Sequence, residues 1–204
     1  MSTAKKLEEQ KYTFEEYLEL EEKAEYKNEF WDGEIVAMAG ATPAHNKITS
    51  SLIAALDQAI DKKGKDCSIY NSDQKIYLPT DNKVVYPDCM VMCKEEEYHD
   101  KSEIIITNPS LIIEVLSKST QNYDKGAKFE SYRSIPSFKE YVLVWQSIPK
   151  VQSWYKQEEN LWRISSVFGL DKSITLYSID CEITLKDIYK RVKNLGDQEI
   201  PNAY

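Results

Sequence analysis

The sequence predicts an α/β (α+β) fold in which a mixed β-sheet is flanked by helices. Two observations indicate this class: helical patterns alternate with short apolar segments over most of the chain, and strand-like segments dominate its last third. No internal repeat or linker divides the 204 residues. We therefore expect a single domain over residues 12–194, preceded by a flexible segment (1–11) and followed by a polar tail (195–204).

Helix signals are strongest in the N-terminal part of the chain. Thr13 and Glu16 form a capping-box pattern that predicts a helix to about Lys23. Pro43 opens a second helix, in which apolar residues recur at helical spacing until Gly64. Two further helices are predicted by the same criteria, at 122–134 and 185–194.

Strands are predicted where short apolar runs lie between turn signals. The most apolar run is Leu111–Leu116, which is typical of a central strand covered on both faces. Residues 94–103 are interpreted as a charged loop. The other predicted strands are 35–39, 67–78 with a break near 71–72, 84–93 and 141–145, and then a C-terminal meander of 150–156, 161–168 and 173–177.

The acidic balance of the chain limits its expected partners. Asp and Glu number 34 against 26 Lys and Arg, which gives a formal net charge of −8. This charge argues against tight non-specific DNA binding, but it leaves room for a local basic rim and a metal ion. No apolar run approaches the length of a membrane span, so we expect no membrane partner.

The cysteines indicate the expected compartment. The chain has four: Cys67, Cys89, Cys93 and Cys181. They form no C-x-x-C pair, and only two histidines are present, which disfavours a structural zinc site. We expect reduced, buried thiols in a cytoplasmic protein.

Two acidic residues enter apolar strands and are candidate metal ligands. Glu114 lies inside Leu111–Leu116, where a carboxylate is costly unless a cation or several donors meet it. A structural Glu paired with a buried Lys or Arg is the alternative. Asp88 follows Pro87 and enters another apolar strand, although Pro-Asp alone also fits a plain turn. If the two strands are neighbours, both carboxylates can converge on one hard cation such as Mg²⁺.

Lys128 is the candidate cation beside this acidic pair. Four residues share one face of the predicted helix: Asp124, Lys128, Tyr132 and Ile135. Tyr132 and Ile135 indicate that this face packs on the sheet, which points Lys128 inward. An ammonium there can stabilise the charge on a reacting phosphate. The alternative is a lysine with a buried stem and a solvated ammonium.

These segments together resemble the Uma family of restriction endonucleases. The matching segments, in order over about residues 12–190, are Phe30–Val36, Tyr86–Asp88, Ile113–Thr120, Asp124–Tyr132 (D-x-G-x-K-x-x-x-Y) and Glu140–Val144. The resemblance implies a restriction-endonuclease-like core of the PD-(D/E)xK type. It also implies hydrolysis of phosphodiester bonds in nucleic acid, with DNA as the expected substrate and Mg²⁺ or Mn²⁺ as the cofactor.

The resemblance also assigns roles to individual residues. It implies that Asp88 and Glu114 are the catalytic metal ligands. The parent pattern places its lysine two residues after Glu114, where this chain has Leu116. The family pattern moves the lysine to Lys128, while Lys118 is the competing candidate.

Three more residues are candidates for supporting the site: Glu34, His45 and Tyr132. Glu34 lies in a predicted strand after a turn, where it is otherwise simply exposed. His45 lies in the first turn of the second helix, where it can approach the site or serve as a cap or surface residue. Tyr132 is predicted on the same helix face as Lys128.

Two other interpretations stay open. A nuclease-like fold retained for nucleic-acid or protein binding fits the displaced lysine and the acidic charge. An oligomerisation module is the other, because the C-terminal third is rich in aromatic residues: Trp145, Trp154, Tyr155 and Trp162. These residues present more aromatic surface than one sheet face readily hides, so we expect a homodimer.

Overall fold

The computed structural model describes residues 11–117 and 124–196 and has an α+β architecture. The helices in these ranges are α1 (Phe14–Lys23), α2 (Pro43–Lys63), α3 (Ala127–Tyr132) and α4 (Leu185–Tyr189). The strands are β1 (Asn28–Trp31), β2 (Glu34–Ala37), β3 (Ser68–Asn71), β4 (Lys75–Leu78), β5 (Lys83–Val85), β6 (Cys89–Met92), β7 (Tyr98–His99), β8 (Ser102–Ile106), β9 (Leu111–Leu116), β10 (Glu140–Trp145), β11 (Lys150–Glu158), β12 (Leu161–Phe168), β13 (Ser173–Leu176) and β14 (Cys181–Thr184).

The described strands form two six-stranded sheets and one separate hairpin. The first sheet has the order β2-β1-β5-β4-β8-β7, and the second has the order β12-β11-β10-β9-β6-β3. In the second sheet, β9 and β10 run parallel, whereas β9 is antiparallel to β6 and β10 is antiparallel to β11. The predicted mixed sheet flanked by helices is therefore confirmed.

Strand β9 lies between two apolar layers. All six of its residues are buried. One face packs against α2 through residues such as Ile48 and Leu52. The other face packs against Tyr132 and Phe138, which lie in and just after α3. Each fully buried side chain of this size contributes roughly 1.5–3 kcal/mol. This double cover fixes β9 and holds Glu114 within it.

The first two helices begin and end where the sequence predicts. Thr13 caps α1, and Glu16 completes the capping box. Thr42 caps α2, and Pro43 occupies the start of the helix. Gly64 ends α2 with a φ of 64°, a left-handed conformation that favours glycine.

Several predicted boundaries are wrong. The segment 94–103 is not a loop throughout, because β7 and β8 pair there and His99 packs on Phe14 and Tyr77 with ring-centroid distances of 4.6 and 4.5 Å. In the third predicted helix, Asp124 and Lys125 are helical, but Gly126 interrupts the helix with φ −115° and ψ −96°, and α3 begins again at Ala127 and ends at Tyr132, short of residue 134. The fourth helix ends at Tyr189, short of residue 194.

The predicted C-terminal meander is only partly continuous. β11 and β12 extend the second sheet, but β13 pairs with β14, a strand that the sequence analysis missed. The Glu140 carboxylate accepts hydrogen bonds from the backbone N–H groups of Tyr177 and Ser178. These bonds hold the turn after β13 near the start of β10.

Some predictions concern residues that the structure does not describe. The N-terminal segment 1–11 and the tail 195–204 lie almost entirely outside the described ranges, as do Lys118 and residues 122–123. Within the described ranges, none of the helices has both the length and the apolar character needed to cross a membrane.

The prediction of four reduced, buried thiols is wrong for two cysteines. Cys67 and Cys93 form a disulfide, whereas Cys89 and Cys181 are free and buried. β3 and β6 are antiparallel, and Ser68 pairs with Met92 at one end. The next residues in that register are the two bonded cysteines, with Cα atoms 4.0 Å apart. Their proximity depends on strand pairing, which their spacing in the sequence does not reveal.

Candidate active site

A cleft of about 800 Å³ opens between the start of α2, the end of β9 and the residues before α3. Carboxylates from four separate segments line it, together with two lysines; the charged lining residues are Lys27, Glu29, Asp88, Glu114, Asp124 and Lys128. The loop between β2 and α2 forms another part of the wall. The fold thus gathers charged side chains from several segments of the chain into one concave site.

Asp88 enters the cleft just before β6. Continuing the antiparallel register of β6 and β9 by one residue places Asp88 opposite Glu114. Asp88 Oδ2 accepts a hydrogen bond of 2.7 Å from the backbone N–H of Val115 and lies 3.0 Å from His45 Nε2. Burial raises the pKa of Asp88, but these contacts and nearby positive charge outweigh it and hold the pKa below its ordinary value. Asp88 is therefore a carboxylate at neutral pH.

Glu114 is only 4% exposed, and its partners act on one oxygen. Oε1 accepts a hydrogen bond of 2.6 Å from the Tyr132 hydroxyl and lies 2.7 Å from Lys128 Nζ. No residue in the described part of the chain donates to Oε2. Burial raises the pKa of Glu114 to about 8; Lys128 opposes this rise, whereas the charges of Asp88 and Asp124 add to it.

Lys128 projects inward from the first turn of α3. Its side chain is 12% exposed, and its Nζ lies 3.8 Å from Asp124 Oδ1 as well as close to Glu114. Burial lowers the pKa of Lys128, but the charges of Glu114, Asp124 and Glu29 raise it above its ordinary value. The ammonium is therefore retained, and it faces the acidic residues of the cleft rather than open solvent.

Asp88 and Glu114 have pKa values shifted in opposite directions. Asp88 is lowered, whereas Glu114 is raised to about 8. Pairs of carboxyl groups whose environments separate their pKa values are common at catalytic sites. In this cleft, Asp88 is ionised at neutral pH, whereas Glu114 needs additional positive charge nearby before its ionised form is stable.

Two of the three supporting candidates lie at this site. Tyr132 donates to Glu114, and His45 contacts Asp88. The His45 backbone N–H is also bound by the Thr42 cap, and its buried Nδ1 has no hydrogen-bond partner in the described structure. Glu34 is exposed on β2, the outer strand of the first sheet, and does not line the cleft.

The sequence analysis missed the roles of two acids. Glu29 lies on β1, one strand further in than Glu34, and lines the cleft. Asp124 shares the predicted helix face of Lys128, and the structure brings it into the cleft 3.8 Å from Lys128 Nζ. No local signal separates Glu29 from Glu34, because both lie in short strands beside the same turn. For Asp124, the four-residue spacing to Lys128 was a usable signal.

The donor set fits a hard cation better than zinc. Asp88 and Glu114 are the residues that could hold a metal; over residues 11–117 and 124–196, no three His, Cys, Asp or Glu side chains are grouped closely enough to form a protein cage. Structural zinc sites use four protein ligands, whereas Mg²⁺ is usually held by one or two carboxylates and keeps several waters. An ionised Asp88 beside an open Glu114 Oε2 suits the second type of ion.

Comparisons with known structures support the fold. The crystal structure of a putative nuclease belonging to DUF820 from Anabaena variabilis matches with a TM-score of 0.68, covering 88% of this chain and 98% of that one. Sequence identity between the two is 17%, so this likeness concerns the fold alone. The fold shared by the two chains is the mixed α+β arrangement described above.

Sequence comparisons identify the family. Two uncharacterized proteins of Synechocystis sp., sll1609 and slr1290, are 38% and 35% identical to this chain over 162 and 176 residues. The alignments cover 79% and 86% of this chain and 90% of each relative. The family model of Uma2, described as "Putative restriction endonuclease", matches residues 14–186. The match spans most of the chain, and the protein therefore belongs to the Uma2 family.

Proposed function

We propose that this protein is a metal-dependent endonuclease that hydrolyses phosphodiester bonds in nucleic acid. The substrate is DNA, and the cofactor is Mg²⁺ or Mn²⁺. The catalytic groups are Asp88, Glu114 and Lys128, and the two acids hold the metal. The convergence of these three side chains in one cleft, in a chain of the Uma2 family, is the observation that supports the proposal.

The two acids have different tasks in this proposal. A bound divalent cation supplies Lewis acidity and lowers the pKa of a coordinated water. Asp88 offers a permanent carboxylate, oriented by the Val115 N–H and by His45. Glu114 offers Oε2, while the Tyr132 hydroxyl fixes the carboxylate through Oε1.

Lys128 supplies positive charge to the reacting phosphate. Glu114 and Asp124 keep its ammonium protonated and aimed at the cleft. Preorganised positive charge of this kind stabilises the negative charge that develops on phosphate oxygens during hydrolysis. Lys128 is not a metal ligand, so its removal should affect the rate more than metal affinity.

A cleavage screen tests this proposal. Supercoiled plasmid, linear duplex, single-stranded DNA and RNA would be incubated with Mg²⁺, Mn²⁺ or EDTA. We expect metal-dependent cleavage of DNA that is lost in Asp88→Ala and Glu114→Gln and kept in Glu34→Gln, the control outside the cleft. Calorimetry should show Mn²⁺ binding that Asp88→Ala removes. Cleavage that persists in EDTA would contradict the proposal.

A second candidate is a nuclease-like fold that binds nucleic acid or protein without cutting. One observation favours it: Glu114 Oε1 already has Lys128 and Tyr132 as partners, an arrangement that is stable without a cation. This candidate predicts no cleavage with any metal and no Mn²⁺ binding in calorimetry. The same screen therefore separates the two functions.

We also propose that the protein is a homodimer, but the surface that supports this differs from the aromatic residues that the sequence indicated. Trp154 and Trp162 pack edge-on against Phe129 with centroid distances of 4.6 and 5.0 Å, so these rings serve the core. Three of the exposed large apolar side chains lie instead on β12, the outer strand of the second sheet: Leu161, Ile164 and Phe168. Sedimentation should give a dimer that Ile164→Lys weakens. A monomer at high micromolar concentration would contradict this.

We place the protein in the cytoplasm, where its DNA substrate lies. Reducing conditions there oppose disulfides. Cys67 and Cys93, which are bonded in the structure, should therefore be reduced in the cell and bond only after oxidation. Alkylation under denaturing conditions, after rapid acid quenching of the cells, should then label all four cysteines. Labelling of Cys89 and Cys181 alone would contradict this location.

A further inference from the structure

Trp145, the last residue of β10, carries two lysine side chains on its ring. Lys125 Nζ lies 4.8 Å from the ring centroid, and Lys150 Nζ lies 4.7 Å from it. Lys150 is the next residue in the antiparallel register of β10 and β11, and so lies opposite Trp145. Lys125 reaches the ring from the residues before α3. Two distant parts of the chain thus bring positive charge to one aromatic side chain.

Neither lysine has a carboxylate partner in the two described stretches of the chain. Each forms a cation–π contact, worth about 0.5–1 kcal/mol at an exposed site, but no salt bridge of either is found there. Burial and, after it, the charge of Lys150 lower the pKa of Lys125, so the two ammonium groups repel each other. In a chain with eight more acidic than basic residues, an uncompensated lysine pair is an arrangement that an external anion would stabilise.

The pair lies next to the candidate active site. In the parallel register of β9 and β10, Trp145 pairs with Leu116, which is two residues beyond Glu114 and therefore on the same sheet face. Asp124 and Gln146, the chain neighbours of Lys125 and Trp145, both line the cleft. The lysine pair therefore lies within reach of a polyanionic strand bound in the cleft.

We propose that Lys125 and Lys150, positioned by Trp145, form a phosphate-binding subsite for the sugar–phosphate backbone of the substrate strand, beside the scissile position. The identity of this ligand as nucleic acid rests on the proposed nuclease function. The subsite acts in binding and not in the chemical step, which the proposed function assigns to Asp88, Glu114 and Lys128. The Trp145 ring holds both ammonium groups in place before the strand arrives.

Equilibrium binding in a non-cleaving background tests the subsite. The Glu114→Gln protein would be titrated with fluorescein-labelled duplex and single-stranded DNA of one sequence, with anisotropy read at several NaCl concentrations. Lys125→Ala and Lys150→Ala should each weaken binding at low salt, and each should reduce the slope of log K against log[NaCl] by about 1. Lys125→Arg should keep the affinity. Lys139→Ala, which removes an exposed lysine near the opposite end of β10, is the matched control.

Kinetics separate binding from chemistry in the active protein. In single-turnover cleavage, Lys125→Ala and Lys150→Ala should need more DNA for saturation but reach the wild-type rate when saturated. An unchanged affinity and salt slope in the double alanine variant would overturn the subsite and leave the nuclease function standing. A lowered melting temperature with an unchanged slope would also overturn it, because the lysines would then serve only the fold.

The two proposals can fail separately. Lysine-dependent DNA binding by a protein that cuts nothing with any metal would overturn the nuclease function and retain the subsite. Absence of DNA binding by the Glu114→Gln protein would overturn the subsite, whatever the cleavage screen shows.

Discussion

Two buried glutamates on neighbouring strands, Glu114 of β9 and Glu140 of β10, are held in different ways. Glu140 is fully buried, and protein donors reach both of its oxygens: Ser153 Oγ, the Tyr177 N–H, and the N–H and Oγ of Ser178. Glu114 is almost as buried, but its two partners both act on Oε1, and the side chain faces a cleft.

The comparison shows that the two acids differ in their donors rather than in their burial. Burying a carboxylate is costly unless hydrogen bonds or opposite charge replace the lost water. The Glu140 environment supplies that replacement from the protein and ties β13 to β10. The Glu114 environment replaces the lost water at Oε1 only and places Asp88 nearby. A cation bound between the two acids would supply the missing positive charge.

The largest expected effect separates these two acids directly. Glu114→Gln should lower the cleavage rate at least about a hundredfold, since it removes a charged group at the reacting centre. Glu140→Gln should leave the activity of the folded protein unchanged. Its amide would oppose donors that now bind a carboxylate, which should lower the free energy of unfolding by about 1–3 kcal/mol. Single-turnover cleavage and urea unfolding of both variants are the measurements. Loss of activity in Glu140→Gln with full activity in Glu114→Gln would contradict the distinction between the two acids.

Lys128 is the next test of the open site. Lys128→Ala should lower the cleavage rate by about 10²–10³ because it removes preorganised positive charge, while Mn²⁺ affinity changes little. Lys125→Ala, on the neighbouring segment, should keep the maximal rate. Full activity in Lys128→Ala together with loss in Lys118→Ala would assign the lysine to a different part of the chain.

The pH dependence of stability should show a smaller difference, between the wild type and the Glu114→Gln protein. The pKa of Glu114 rises from an ordinary 4.5 to about 8 on folding. A raised acid pKa contributes stability below the unfolded value, and this contribution is lost as pH rises through the folded value. In EDTA, the melting temperature of the wild type should therefore fall more between pH 5 and 9 than that of Glu114→Gln. Added Mn²⁺ should reduce the difference in melting temperature between the two proteins at high pH. The same pH dependence in both proteins would contradict a raised pKa for Glu114.

The smallest expected effect concerns the support of Glu114. Tyr132→Phe keeps the buried ring but removes the hydroxyl that donates to Oε1. Loss of such an orienting group typically costs about 10–100-fold in metal affinity or activity, and we expect the lower end, because Lys128 still holds the same oxygen. Mn²⁺ titration and cleavage, run beside Glu34→Gln, measure it. Wild-type values in Tyr132→Phe would limit that residue to packing.

The cleft residues that could be predicted from the sequence are those with a recognisable local pattern. Asp88 and Glu114 stand out because each is an acid in an apolar strand, and the two-residue strand period fixes the side on which each points. The direction of Lys128 followed from helical spacing, even though Gly126 shortens the helix. Their proposed roles came from the resemblance to the Uma family. The comparisons confirm membership of that family, whereas the roles of the residues stay predictions.

The parts that sequence reasoning could not supply depend on pairing between distant segments. Glu29 and Glu34 are equivalent until β2 is known to be the outer strand. The Cys67–Cys93 disulfide and the Glu140 contacts with the turn after β13 have the same origin. In each case the decisive neighbour lies far away along the chain, where local spacing carries no information.

The parallel pairing of β9 and β10 has a consequence for when the cleft forms during folding. Parallel strands need a crossover connection, and here that connection carries Lys128. The contacts that shape the cleft join residues 27 positions apart (Asp88 and Val115) and 43 apart (His45 and Asp88). Such non-local closures form slowly and late in folding. A nascent or partly unfolded chain is therefore expected to lack the assembled cleft.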